Sequence, residues 1–139
     1  VKLSLETYSA NIIHSYEEGQ VIIRQNRAGR SEAGQPSQDT QPLKVITGSL
    51  IITPEILIED WLETPPSLTS KDILRLMETE PEVILLGTGA TLTFPSAELL
   101  QPCYQANIGI EVMNTSAACR TYNVLASERR KVAAAMIII

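Results

Sequence analysis

Five side chains between positions 115 and 123 have the types and spacing to act together: Thr115, Ser116, Cys119, Arg120 and Asn123. On an α-helix, at about 100° per residue, Ser116, Arg120, Asn123 and Ser127 form a polar stripe. Ala118, Cys119, Tyr122, Leu125 and Ala126 gather on the adjacent apolar face. An Arg on such a stripe can hold a carboxylate or phosphate through its planar fork. Thr115 and Ser116 stand at the expected helix start, where backbone N–H groups lack intrahelical partners and favour an anion. A thiol about one turn into a helix becomes a nucleophile only with a depressed pKa and a base. His14, the sole imidazole, is far away in sequence. The competing readings are structural: Cys119 as a packing residue on the apolar face, and Arg120 paired with Glu111 or Glu128. Packing is favoured for Cys119, so the five residues are candidates for binding and no catalytic residue is assigned.

Other constellations carry less. Gly87-Thr88-Gly89 follows an apolar run, but position 92 is Leu where a dinucleotide loop needs Gly or Ala, and no helix is expected to begin at once. It reads as a glycine-rich strand exit. Trp61, the only Trp, lies among charges in Glu59-Asp60-Trp61 and is a candidate anchor for a partner, or else an edge residue packed on its own chain. Glu78, Glu80 and Glu82 read as a solvated acidic rim, and Arg129-Arg130-Lys131 as a basic patch suited to a helix C-terminus.

Composition narrows the classes. The 139 residues are 44% hydrophobic and 19% charged, with a formal net charge of −5. That describes a globular chain and argues against general binding to nucleic-acid phosphates. One His and two Cys cannot complete a zinc site of those ligands, and neither a metal nor a cofactor is expected. The first ten residues show no signal peptide, and two Cys are too few for a secreted disulfide framework. The expected location is the cytoplasm, or the mitochondrial matrix if the chain is a trimmed organellar protein. Residues 132–139 are apolar over too short a run for a membrane helix, which needs about 20 residues.

The elements that must position these residues follow from patterning. Ile12 to Ile23 reads as a hairpin turning at Glu18-Gly19, and Leu43 to Ile46 and Leu50 to Ile52 as further strands. Between them, Asn26 to Pro42 is a polar loop insertion in one domain spanning residues 1–139. Thr69-Ser70-Lys71-Asp72 has capping-box form and opens a helix carrying Ile73, Leu74 and Met77, closed by Pro81. Val83 to Leu86 is the continuous apolar run of a strand buried on both faces. Pro95 fits the first turn of a helix carrying Leu99, Leu100 and Cys103, which Pro102 should kink or shorten. Ile108 to Met113 reads as a strand, Thr115 to Glu128 as a helix, and Lys131 to Ile138 as a strand. Strand–helix–strand–helix–strand implies parallel crossovers. The class is α/β, with two βαβ-type crossovers in the second half and a hairpin-rich first half.

The block Gly109-Ile110-Glu111-Val112-Met113-Asn114-Thr115, continuing through Ala117-Ala118-Cys119-Arg120-Thr121-Tyr122-Asn123-Val124-Leu125 to Glu128, resembles the family of uncharacterised proteins that includes mitochondrial complex I assembly factor 3, the Mth938-like domains. Ser49-Leu50-Ile51-Ile52 with Pro54, Asp60-Trp61, Leu68-Thr69 and Leu85-Leu86-Gly87-Thr88-Gly89 extend the resemblance, which runs from about Ile12 to Ile138. It implies three layers around a mixed sheet, and a non-enzymatic interaction or assembly module. The expected partner is a protein, and a homodimer is also expected to be accessible through the edge strands of a small sheet. The rival expectation is a small-molecule or anion-binding protein, or an enzyme, using the start of the Thr115 helix.

Overall fold

A computed structural model describes residues 10–25, 43–62, 68–90 and 92–138. The elements run β1 (Ile12–Glu17), β2 (Gln20–Arg24), β3 (Leu43–Ile46), β4 (Leu50–Ile52), β5 (Leu57–Glu59), α1 (Ser70–Met77), β6 (Val83–Gly87), α2 (Ala97–Gln105), β7 (Gly109–Met113), α3 (Thr115–Ser127) and β8 (Val132–Met136). The expected insertion at 26–42 lies outside the described residues.

The strands form two sheets. The larger has the order β5-β4-β8-β6-β7, with β6 parallel to both β7 and β8, and β4 antiparallel to β5 and β8. Both crossovers, β6-α2-β7 and β7-α3-β8, are present. The smaller sheet is the antiparallel meander β1-β2-β3. The architecture is thus α/β and mixed. One face of the large sheet presents Ile51, Ile84, Leu86, Ala133 and Ala135 to Ile73 and Leu76 of α1, Leu100 and Cys103 of α2, and Trp61. The other presents Leu50, Ile52, Leu85, Ala134 and Met136 to α3 and to Ile13, Val21, Ile23 and Ile46 of the small sheet. The result is three layers, with β8 wholly buried between the outer two. Its Ala133, Ala134 and Ala135 leave room for both layers to approach closely.

Local chemistry explains most boundaries. Gly19 turns the first hairpin at φ +86°, and the Asp72 carboxylate accepts from the N–H and hydroxyl of Thr69 to cap α1. Two expectations need correction. Leu74 is 52% exposed, because the buried stripe of α1 runs through Ile73 and Leu76 instead. Pro95 lies before α2, whose cap is Ser96 accepting from the Leu99 N–H. Pro102 sits inside α2, which continues past it to Gln105. Strand β5 was not anticipated. It follows a tight turn in which the Thr53 hydroxyl accepts from the N–H groups of Glu55 and Ile56.

Candidate functional site

Helix α3 starts from Asn114, whose side chain accepts from the Ala117 N–H at 2.8 Å. Its N-terminal end stands where the chain leaves β6 and β7 towards opposite faces of the sheet, the place at which α/β sheets commonly open a crevice. Here the crevice is stitched shut. The hydroxyl of Thr115, with no exposed surface, accepts from the Gly89 N–H at 2.8 Å and donates to the Ile137 carbonyl at 2.7 Å. The Thr115 N–H returns a bond to the Gly89 carbonyl, and the Ile137 N–H bonds the Gly87 carbonyl. Gly89 reaches this position at φ +102°. Gly87 is equally constrained: an added Cβ would stand 3.1 Å from both the Thr115 Cα and the Ala118 Cβ. The glycine-rich strand exit therefore permits close approach of helix and strand, and α2 begins only at Ala97.

Asn123 is occupied in the same manner. Its carboxamide accepts from the Ile13 N–H and donates to the Ile13 carbonyl, both at 2.8 Å. It serves the edge of β1 as a neighbouring strand would, beside the register shift between Ile13 and Ser15. One turn earlier Cys119 is buried, with its thiol 3.7 Å from the Met136 sulfur. Burial pushes this thiol up to about 12, against the opposing pull of the Arg120 charge. Burial also raises Cys103, which lies on the opposite face of the large sheet. Both cysteines are free thiols.

Ser116 and Arg120 face outward. Arg120 Nη1 donates to Ser116 Oγ at 2.8 Å, and neither Glu111 nor Glu128 pairs with it among the described residues. With Cys119, Asn123 and residues 13–16 of β1 they line a cleft of about 230 Å³. Thr115 is absent from that lining. The sequence did not associate β1 with this cleft, because a contact between positions more than a hundred residues apart leaves no local periodicity. At the cleft rim, the Arg24 guanidinium adds a second positive charge, its Nη2 lying 3.3 Å from His14 Nδ1. The Tyr16 hydroxyl is raised above its ordinary pKa, first by burial and then by the Cys119 thiol and the Glu18 carboxylate.

Elsewhere, Trp61 is 1% exposed and packs beneath α1 and α2; its indole N–H has no acceptor among the described residues. A larger hollow of about 340 Å³ lies between Thr53–Ile56 and the ends of α1 and α3. Its lining sets Arg129, Arg130 and Lys131 against Glu55 and Glu80, and Arg130 is already engaged by Glu82. That pairing holds the Glu82 carboxyl below the usual range. No three His, Cys, Asp or Glu side chains among the described residues come together as a metal site. No helix among them is long and apolar enough to cross a membrane.

Residues 13–137 match the family described as a protein of unknown function, DUF498/DUF598. The chain belongs to this family. Among curated relatives, the "NADH dehydrogenase [ubiquinone] 1 alpha subcomplex assembly factor 3" of Danio rerio is 42% identical over 71 residues, covering 51% of this chain and 41% of that protein. The chain thus matches less than half the length of that relative. Among solved structures, a Xanthomonas campestris protein superposes with a TM-score of 0.70 at 33% identity, covering 92% of this chain and 84% of that one. A Bordetella pertussis Mth938-like domain does so with a TM-score of 0.69 at 22% identity, covering 92% and 85%, and speaks to the fold alone. The expected kinship with the Mth938-like and assembly factor 3 proteins is therefore found.

Two predictions follow from the Thr115 and Cys119 geometry. Thr115→Val removes both side-chain bonds at nearly constant volume and strands the buried Gly89 N–H and the half-buried Ile137 carbonyl, so it should cost about 2–4 kcal/mol. Thr115→Ser keeps the hydroxyl and should cost only about 1 kcal/mol. Urea unfolding of the two variants distinguishes them, and equal losses would contradict the bonding role. For Cys119, the unfolded chain releases the thiol proton at its ordinary pKa while the folded chain retains it to about 12. This stabilisation is complete below the ordinary thiol range and declines as pH rises toward 12. Between about pH 8 and about pH 10.5 the natural protein should lose more stability than Cys119→Ala. Parallel pH slopes for the two would show an accessible thiol.

Proposed function

We propose that this chain is a non-enzymatic protein-interaction module that assists assembly of a larger complex. The observation that supports it most is the match to a protein named as an assembly factor, over a segment that includes family residues. The geometry is consistent with it: Thr115, Cys119 and Asn123 are engaged internally, which leaves Ser116 and Arg120 as the outward-facing members of the candidate group. Trp61, the candidate anchor, lies buried in the core beneath α1 and α2. The partner is then a protein, met in the cytoplasm, or in the mitochondrial matrix if the chain is an organellar protein. A homodimer remains an accessible assembly of the same module. A second function, binding of an anion or small molecule at the start of α3, is favoured by the Arg120–Ser116 contact.

Depleting the chain from its own cells should lower the yield of one multi-subunit assembly on native gels and accumulate its subcomplexes. The tagged chain should co-purify with a subunit of that assembly. Unchanged assemblies after depletion, together with repeated recovery of the chain alone, would overturn this function.

A further inference from the structure

The cleft between β1 and α3 differs in charge from the rest of the molecule. The chain carries 16 acidic residues and a net charge of −5. Yet the cleft lining holds a guanidinium, an imidazole and the hydroxyls of Ser15, Tyr16 and Ser116, and not one carboxylate. A neighbouring hollow of about 220 Å³ at the start of α3 shares Tyr16 and Ser116 with the cleft, and its lining includes one carboxylate, that of Glu18. Arg120 is exposed and held by Ser116 one turn earlier, so part of its conformational freedom is already removed before any ligand arrives. No described carboxylate neutralises it. The floor beneath it, Ile13 and Cys119, is apolar, and the thiol there stays neutral.

From these observations we infer that the cleft receives a carboxylate of a partner polypeptide, gripped by the Arg120 fork beside the Ser116 hydroxyl. The inference rests on the interaction function proposed above and names the chemistry that the partner presents. The lining decides between oxyanions: the Arg120 fork matches the two oxygens of a carboxylate, and the apolar Ile13 and Cys119 beneath it suit the aliphatic stem that carries one, whereas a phosphate presents oxygens on every side. The α3 N-terminus adds little to a phosphate, because Asn114 already engages the Ala117 N–H and Gly89 engages that of Thr115. The carboxylate can come from a Glu or Asp side chain or from a chain terminus, since the fork reads the same two oxygens in each.

The test is an amide NMR titration of the full chain with five probes. These are a blocked aliphatic peptide with one internal Glu, an aliphatic peptide with a free C-terminus, the uncharged counterpart of each (Gln or amidated), and inorganic phosphate. Saturable shifts confined to positions 13–16 and 116–123 are expected with at least one carboxylate peptide. Its uncharged counterpart, and the same peptide on Arg120→Gln, should bind at least about ten-fold more weakly. Which peptide binds tells a side-chain from a terminal carboxylate. The spectrum of Arg120→Gln elsewhere serves as the control for folding, and Ser116→Ala should weaken binding in the same direction. Absence of saturation by either carboxylate peptide, equal binding by Arg120→Gln, or tighter saturation by phosphate would overturn the inference. Capture from source cells separates it from the broader function. A partner retained equally by the natural chain and Arg120→Gln overturns the cleft and leaves the interaction module standing. Peptide binding by a chain that is repeatedly recovered alone, and whose depletion leaves every assembly unchanged, overturns the module and leaves the carboxylate site.

Discussion

The Thr115 hydroxyl joins three stretches of backbone that the topology brings together, the exit of β6, the exit of β8 and the first turn of α3, and completes the bonding begun there by the Thr115 and Ile137 N–H groups. Chains that leave parallel strands toward opposite faces leave polar backbone exposed at the divide, and a buried N–H or carbonyl without a partner is costly. A single Thr supplies both a donor and an acceptor there. Gly87 and Gly89 follow from the same constraint, the first because α3 approaches within Cβ contact, the second because the chain must turn at positive φ to present its N–H. What serves in other α/β sheets as an open crevice is here a closed seam.

With the seam closed, α3 becomes the platform on which the small sheet is mounted. Asn123 holds both backbone groups of Ile13, and the buried Tyr122 hydroxyl donates to the Asn11 carbonyl at 2.7 Å. Asn11 in turn donates from its side chain to the Thr53 carbonyl and from its backbone to that of Pro54. The segment before β1 is thus tied to α3 on one side and to the β4–β5 turn on the other. These polar ties fix the angle of the small sheet, while Ile13, Val21, Ile23 and Ile46 provide the apolar contact. The cleft at Arg120 is what remains open between two elements joined in this way.

The parts legible in the sequence are those governed by local patterning. Val83 to Leu86 announces a doubly buried strand, Thr69 to Asp72 a helix cap, and the apolar stripe of α3 the burial of Cys119 and Tyr122. The family block made the mixed three-layer sheet legible as well. The misses have physical causes. Strand β5 is short and its only punctuation is Thr53-Pro54-Glu55, a turn whose hydroxyl-to-backbone bonds show only in three dimensions. Leu74 carries the right hydrophobicity on the wrong side of α1. Of the candidate site, the outward placement of Arg120 and Ser116 was readable from helical phase. The engagement of Asn123 and Thr115 was not, because their partners, Ile13, Gly89 and Ile137, are set by topology rather than by spacing along the helix.

Native-state amide hydrogen exchange tests most directly whether α3 side chains hold the two sheets together. The Gly89 and Ile13 N–H groups have side-chain acceptors, Thr115 and Asn123, in place of a regular ladder partner. If those bonds organise the fold, both amides exchange only through global unfolding, with the same free energy as the central amides of β6 and β8. Exchange of either amide at the rate of an exposed loop, while β6 and β8 stay protected, would contradict the account.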